Sequence, residues 1–319
     1  MTSRVLITGA EGFVAPYVID ALREAFGEDV EIVPTAKAGG RDPRLGALEE
    51  LDVTDAVRVH EVIKRQRPSH VIHLAGIAAV TNAAANVDLA WDVHVRGTRN
   101  LALALLQHQP ECWLINVGSG LVYGETANAV AALDETALLA PMDDYGASKA
   151  AADLALGVLA RQGLKVLRLR PFNHTGAGQS EAFIVPAFAM QVARIEVGLQ
   201  EAVIHVGNLD AERDFLDVRD VARAYAFAVM KTDELQSGLI LNIASGQAVK
   251  IRTVLDTLLS RSSVAIAVKT DPARLRPSDV PRIVGEASRA RALLGWELRY
   301  PFDETLQSVL EFCRAQVRR

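Results

Sequence analysis

Cysteine is scarce: the chain has two, Cys112 in an apolar strand-like run and Cys313 near its end. Neither stands at metal-ligand spacing from another Cys or from a His, so zinc sites and disulfide scaffolds are excluded and both read as buried structural thiols. A cluster of one charge sign is also missing. The formal net charge is −5, with Lys and Arg scattered through the chain, so no basic stripe tracks a nucleic-acid backbone and none is expected as a partner. No apolar run reaches the roughly 18 residues of a membrane span, and "MTSRVLITG" enters a strand without a basic and apolar leader. The expectation is a cytoplasmic protein with no membrane partner and no metal.

What the chain does have is apolar content. Its 319 residues are 50% hydrophobic and 23% charged, enough for one large core or two fused ones. Short Val, Ile and Leu runs ("RVLITG", "VEIVPT", "HVIHLAG", "CWLINVGS", "KVLRLRP") alternate with amphipathic helical segments at about 13–26, 55–66, 88–108 and 144–162. Strands without polar alternation are buried on both faces, so the expected fold class is α/β, a Rossmann-type doubly wound parallel sheet. After "KVLRLRP" the alternation is lost until about 205. The stretch "AKAGGRDPRLG" reads as a mobile loop.

The first strand-to-helix turn, "TGAEGFVA", sets Gly9, Gly12 and Ala15 in G-x-x-G-x-x-A spacing, with Pro16 in the first helical turn. Such glycines let a pyrophosphate approach the N–H groups of a helix N-terminus, and the small third residue lets helix and strand pack. An NAD site usually adds an acid at the end of the second strand. Here the segment reads "IVPTAKAGGR", with no acid but with Lys37 and Arg41 available for a 2′-phosphate. NADP(H) is therefore favoured, with NAD(H) as the alternative. "LDVTD" supplies Asp52 for the adenine edge, "HLAG" brings small residues to the nicotinamide ribose, and His73 within it reads as a packed strand-end residue.

Further on, "VGSGLVYG" presents Ser119 at a strand end, and "DDYGASKA" places Tyr145 and Lys149 at i and i+4 on one helical face. An ammonium beside a phenol lowers the tyrosine pKa, so that it can trade protons with a ketone or carbinol.

Together the glycine turn, Ser119 and Y-x-x-x-K resemble the extended short-chain dehydrogenases/reductases, the NAD-dependent epimerase/dehydratase family, over the whole chain. The resemblance implies that Ser119 hydrogen-bonds the substrate oxygen, Tyr145 is the acid/base, and Lys149 tunes Tyr145 and binds the nicotinamide ribose. It implies cofactor contacts from Gly9, Gly12, Phe13, Val14, Lys37, Asp52, Val53, Leu74, Ala75 and Gly76. His94 stands where relatives commonly have Asn, a departure expected to alter local helix hydrogen bonding rather than chemistry.

The segments at 193–225 and 271–281 resemble the family's GDP-sugar members, its GDP-mannose 4,6-dehydratases and GDP-4-keto-6-deoxy-D-mannose reductases. By that resemblance Arg213 and Arg276 hold the diphosphate, Asp279 the ribose, and Asn208 and Arg194 lie near the nucleotide. Asn173 contacts sugar or phosphate, and His174 does the same or simply packs the loop. The implied domains are 1–170 plus about 215–245 for NADP(H), and about 171–214 plus 246–319 as a smaller α/β C-terminal domain for the nucleotide sugar. The helices at 88–108 and 144–162 pair in the family across a homodimer.

In the dehydratases a Glu two residues after the catalytic hydroxyl residue serves the elimination. Here that place is Leu121, which carries no proton. The expectation is NADPH-dependent reduction at carbon 4 of a GDP-linked 4-keto-6-deoxy sugar, giving GDP-D-rhamnose or its C4 epimer. A nucleotide-sugar 4-epimerase, a 4,6-dehydratase and, more remotely, a non-catalytic dinucleotide sensor are the alternatives.

Overall fold

The structure is a computed structural model that describes residues 3–272 and 280–318. Arg276 and Asp279 lie outside the described residues.

The apolar runs form one eight-stranded sheet in the order β11-β7-β6-β5-β1-β2-β4-β3. Its strands are β1 (Ser3–Thr8), β2 (Val30–Ala36), β3 (Gly40–Asp42), β4 (Gly46–Glu50), β5 (His70–His73), β6 (Trp113–Val117), β7 (Val166–Pro171) and β11 (Ile240–Ile243). Every pairing is parallel except that of β3 with β4. Successive strand side chains point to opposite faces. Val5 and Ile7 of β1 therefore join the core under helices α1 (Ala15–Phe26) and α8 (Val218–Met230). Leu6 joins the core under α2 (Ala56–Gln66), α5 (Thr98–His108) and α6 (Asp144–Arg161) on the other side.

A separate apolar cluster is built from α7 (Ile184–Glu196), α9 (Ile251–Ser260) and α11 (Phe302–Val317). It carries two small sheets: β8 (Asn173–Thr175), β10 (Glu212–Asp217), β12 (Ala248–Lys250) and β14 (Arg282–Ile283), and β9 (Val203–Val206) with β13 (Ala267–Thr270). Ala290 and Leu294 of α10 (Ser288–Leu294), with Trp296, pack instead into the first core. The Trp296 Nε1–H donates to the Asp220 carbonyl at 2.8 Å, which ties this late segment to α8.

Two local readings need correction. The helix expected over 88–108 runs from Val87 to His108 but is not α-helical throughout: α4 (Val87–Trp91) continues through a π-helical turn, Asp92–Gly97, into α5, and a separate short helix α3 (Val80–Ala85) precedes it. The wider turn brings Gly97 against Val53, where a Cβ would stand 2.6 Å from Val53 Cγ2. The loop expected over 36–46 contains β3, which turns back on β4 as an antiparallel pair.

Both edges of the large sheet are closed to further strands. β3 is three residues long and carries Arg41 and Asp42. On β11, the Asn242 N–H donates to Glu135 Oε1 at 2.8 Å, and its side-chain amide donates to the carbonyls of Leu133 and Glu286.

Candidate active site

In a doubly wound sheet, ligands bind outside the carboxyl ends of the strands where the strand order reverses. β1 lies between β5 and β2 at such a point. A cleft of about 1030 Å³ opens there and runs on between the sheet and the second cluster.

The glycine turn forms one wall. Gly9 has φ +68°, and a Cβ there would stand 2.7 Å from Ala75 Cα, so only glycine lets this turn close on the end of β5. Gly12, Phe13, Val14 and Ala15 follow along the wall, with Asp52, Val53, Leu74, Ala75 and Gly76 beside them. Lys37 lines the cleft with its Nζ 3.2 Å from Asp52 Oδ2, whereas Arg41 is carried away on β3. His73 is fully packed, between the hydroxyls of Thr8 (2.7 Å) and Thr98 (2.9 Å).

Ser119 follows β6 as the cap of a 3-10 turn, its Oγ accepting from Leu121 N–H at 3.1 Å. Tyr145 and Lys149 project from the first turns of α6, whose start is fixed by Asp143 accepting from Gly146 N–H at 2.7 Å. All three line the cleft. Their electrostatics depart from the sequence reading. Burial pushes the Tyr145 phenol up; a hydrogen bond with Ser119 draws it back and the Asp143 charge adds to the rise. The Lys149 ammonium donates to the Val117 carbonyl at 3.2 Å. Burial lowers Lys149 itself to about 8.

Leu121 packs with Ala83, Ala90 and Tyr145, so the phenol is flanked by hydrocarbon where a second acid would have to stand. Asn173, His174, Asn208 and Arg213 line the far half of the cleft. Arg194 does not. It forms a two-pronged pair with Glu181, at 2.8 and 2.7 Å, and Glu181 is the member that lines the cleft.

The sequence reading missed Glu181 and Tyr225. Tyr225 sits on α8 in a pattern indistinguishable from core. It is fully buried, lines the cleft, and its hydroxyl has no partner among the described residues. The wall fits a dinucleotide: Gly9 closes the turn against Ala75 at the end of β5, Gly12, Phe13 and Val14 follow along the cleft, and the Tyr225 hydroxyl is a buried polar group without a partner among the described residues. Among the described residues no three His, Cys, Asp or Glu could hold a metal, and no helix is long and apolar enough to cross a membrane.

The chain is 32% identical to GDP-6-deoxy-D-mannose reductase of Pseudomonas aeruginosa, over 100% of this chain and 99% of that one. It is 26% identical to GDP-6-deoxy-D-talose 4-dehydrogenase of Aggregatibacter actinomycetemcomitans, over 97% and 96%. The fold superposes on RMD from Pseudomonas aeruginosa complexed with NADPH with a TM-score of 0.86, 29% identity, and coverage of 99% and 100%. The family model described as GDP-mannose 4,6 dehydratase matches residues 6–309, and the chain is a member of that family.

Proposed function

We propose that the protein is an NADPH-dependent reductase acting at carbon 4 of a GDP-4-keto-6-deoxyhexose, with GDP-D-rhamnose or its C4 epimer as product. The observation that carries the reading is the meeting of Ser119, Tyr145 and Lys149 in one cleft beside Leu121. Full-length likeness to a GDP-6-deoxy-D-mannose reductase supports it.

When bound, the reduced nicotinamide supplies a hydride. Ser119 donates to the substrate carbonyl and polarises it. Tyr145, held protonated by burial, gives its proton to the oxygen as charge develops there. Lys149 places a positive charge beside the ribose-binding end of β5 and anchors α6 to the Val117 carbonyl. Gly9, Gly12, Phe13 and Val14 seat the pyrophosphate half, while Asp52, Val53 and Lys37 flank the adenosine. Arg213 offers a guanidinium to the substrate diphosphate, and Asn173 and Asn208 face the sugar nucleotide. Arg194 acts through Glu181 rather than on the ligand.

In this reading residues 1–170 with about 215–245 hold the dinucleotide, and 171–214 with 246–319 hold the sugar nucleotide. A homodimer through α6 is supported by Leu154 and Val158, exposed at 58% and 55% on that helix. A cytoplasmic setting is supported by two cysteines that are both free and buried.

The test is NADPH oxidation with GDP-4-keto-6-deoxy-D-mannose followed by NMR of the product sugar, with GDP-mannose in parallel. Oxidation giving a GDP-6-deoxyhexose is the expected result. Conversion of GDP-mannose without added cofactor would overturn it in favour of a dehydratase or epimerase.

A further inference from the structure

His94 is 1% exposed and lies in the π-helical turn Asp92–Gly97. Its Nε2 accepts a hydrogen bond from the Ile77 backbone N–H at 3.0 Å. That contact settles the ring's chemistry: Nε2 must carry a lone pair, so the single proton of the neutral ring is on Nδ1. Nδ1 lies 2.8 Å from Ser148 Oγ, and Ser148 Oγ donates to the Tyr145 carbonyl at 2.9 Å. The chain of donors therefore runs one way, from Ile77 N–H to the ring, from the ring to Ser148, and from Ser148 to the Tyr145 backbone.

The ring also meets the Tyr145 phenol edge to face, with centroids 5.6 Å apart and planes at 89°. A Cβ on Gly76 would touch both Lys149 Nζ, at 3.2 Å, and His94 Nε2, at 3.3 Å. One imidazole thus touches the segment after β5, the backbone of Tyr145 and the surroundings of Lys149. His94 sits within the π-helical turn, and such turns recur at functional sites.

We propose that His94 is a positioning residue: a neutral imidazole of fixed tautomer that locks the Gly76–Ile77 segment to α6 and so sets the place of the Tyr145 phenol relative to the ring of the bound dinucleotide. The titratable groups facing it are Lys149 and Tyr145 from α6 and His73 from β5. Burial, helped by the Lys149 charge, holds His94 down to about 3, so it stays neutral throughout the working range. A protonated ring would lose the Ile77 bond and stand beside Lys149 as a second cation. The inference rests on the proposed reduction for its kinetic effect, while its structural content is independent of it.

The test has two arms. In the first, 15N NMR of histidine-labelled protein, with the His94 signals assigned by their loss in His94→Gln, should show a neutral ring protonated on Nδ1 from pH 8 down to pH 5. A ring that titrates near 6.5, or one carrying its proton on Nε2, overturns the proposal whatever the enzyme's substrate. In the second arm, His94→Phe keeps the edge-to-face packing but removes both hydrogen bonds, and His94→Gln offers an acceptor and a donor again. The Phe variant should lose on the order of 10- to 100-fold in kcat, with KM and directly titrated NADPH affinity within about threefold. The Gln variant should recover most of that loss. Equal losses in both variants, or none in Phe, overturn the proposal. If His94→Phe does not fold, Ser148→Ala takes its place, since it breaks the same link from the other end; an unchanged kcat there also overturns it. An inactive wild type with the expected NMR behaviour would count against the reductase reading alone.

Discussion

Lys149 donates to the Val117 carbonyl at 3.2 Å, which ties the helix bearing Tyr145 to the end of β6. The ammonium is buried there without a carboxylate among the influences on it, and its pKa falls to about 8. Above that value the amine is neutral and the site loses its cation. Turnover should therefore decline on the alkaline side with an apparent pKa near 8. Lys149→Met should abolish this limb along with most of the rate; a wild-type profile flat to pH 9.5 would remove Lys149 from that role.

Tyr145 is the one acid flanked by Ser119 and Leu121. Tyr145→Phe should lower turnover by about 100-fold or more while NADPH affinity, measured by fluorescence titration, stays within a few fold. Near-normal turnover in this variant would mean that the proton comes from elsewhere.

Lys37 is 65% exposed and leans on Asp52, so the ion pair itself contributes little to stability. Its charge is free to meet a 2′-phosphate. Lys37→Ala should raise KM for NADPH about tenfold and leave KM for NADH nearly unchanged. Parallel changes for both cofactors would show that Lys37 does not read the phosphate.

Asp153 on α6 is 1% exposed and accepts from Arg168 Nη1 and Arg170 Nε, each at 2.9 Å. Removing one partner of a buried ion pair strands the others' charge. Asp153→Ala should cost about 3–5 kcal/mol of stability, read from the urea midpoint, and a loss below 1 kcal/mol would show that water replaces the carboxylate without penalty.

His73 and His94 are both held down to about 3 by burial, against 6.5 unfolded. The unfolded chain binds their protons first, so stability is full above pH 6.5, falls as pH drops below it, and goes on falling toward 3. Thermal midpoints should decrease across that window, and His73→Gln should make the decrease shallower. A midpoint constant from pH 7 to 4.5 would contradict the burial of neutral rings.

The parallel sheet was legible because strands covered on both faces must be apolar throughout, as "VLIT" and "LINV" are. The cleft was legible at Gly9, Ser119, Tyr145 and Lys149 because spacing alone puts them at strand ends or on one helical face. What escaped depended on contacts between distant segments. The π-helical turn answers to Ile77 and Val53, neither of which marks residues 92–97 locally. Tyr225 resembles any buried aromatic until α8 is laid beside the cleft. Arg194 was placed near the nucleotide because nothing in its own helix reveals that Glu181 pairs with it. The sequence reading lowered the Tyr145 pKa whereas burial raises it, because i, i+4 spacing says nothing of how deeply the phenol is buried.

The capped margins of the large sheet bear on how the protein behaves at high concentration. An unpaired strand edge is a template on which another chain can build. Here the β3 margin is short and charged, and on the β11 margin Glu135 occupies the backbone donor of Asn242. Incoming polypeptide finds neither a long row of vacant donors nor a flat apolar border. Glu135→Ala would free the Asn242 backbone donor at one margin at a residue that does not line the cleft.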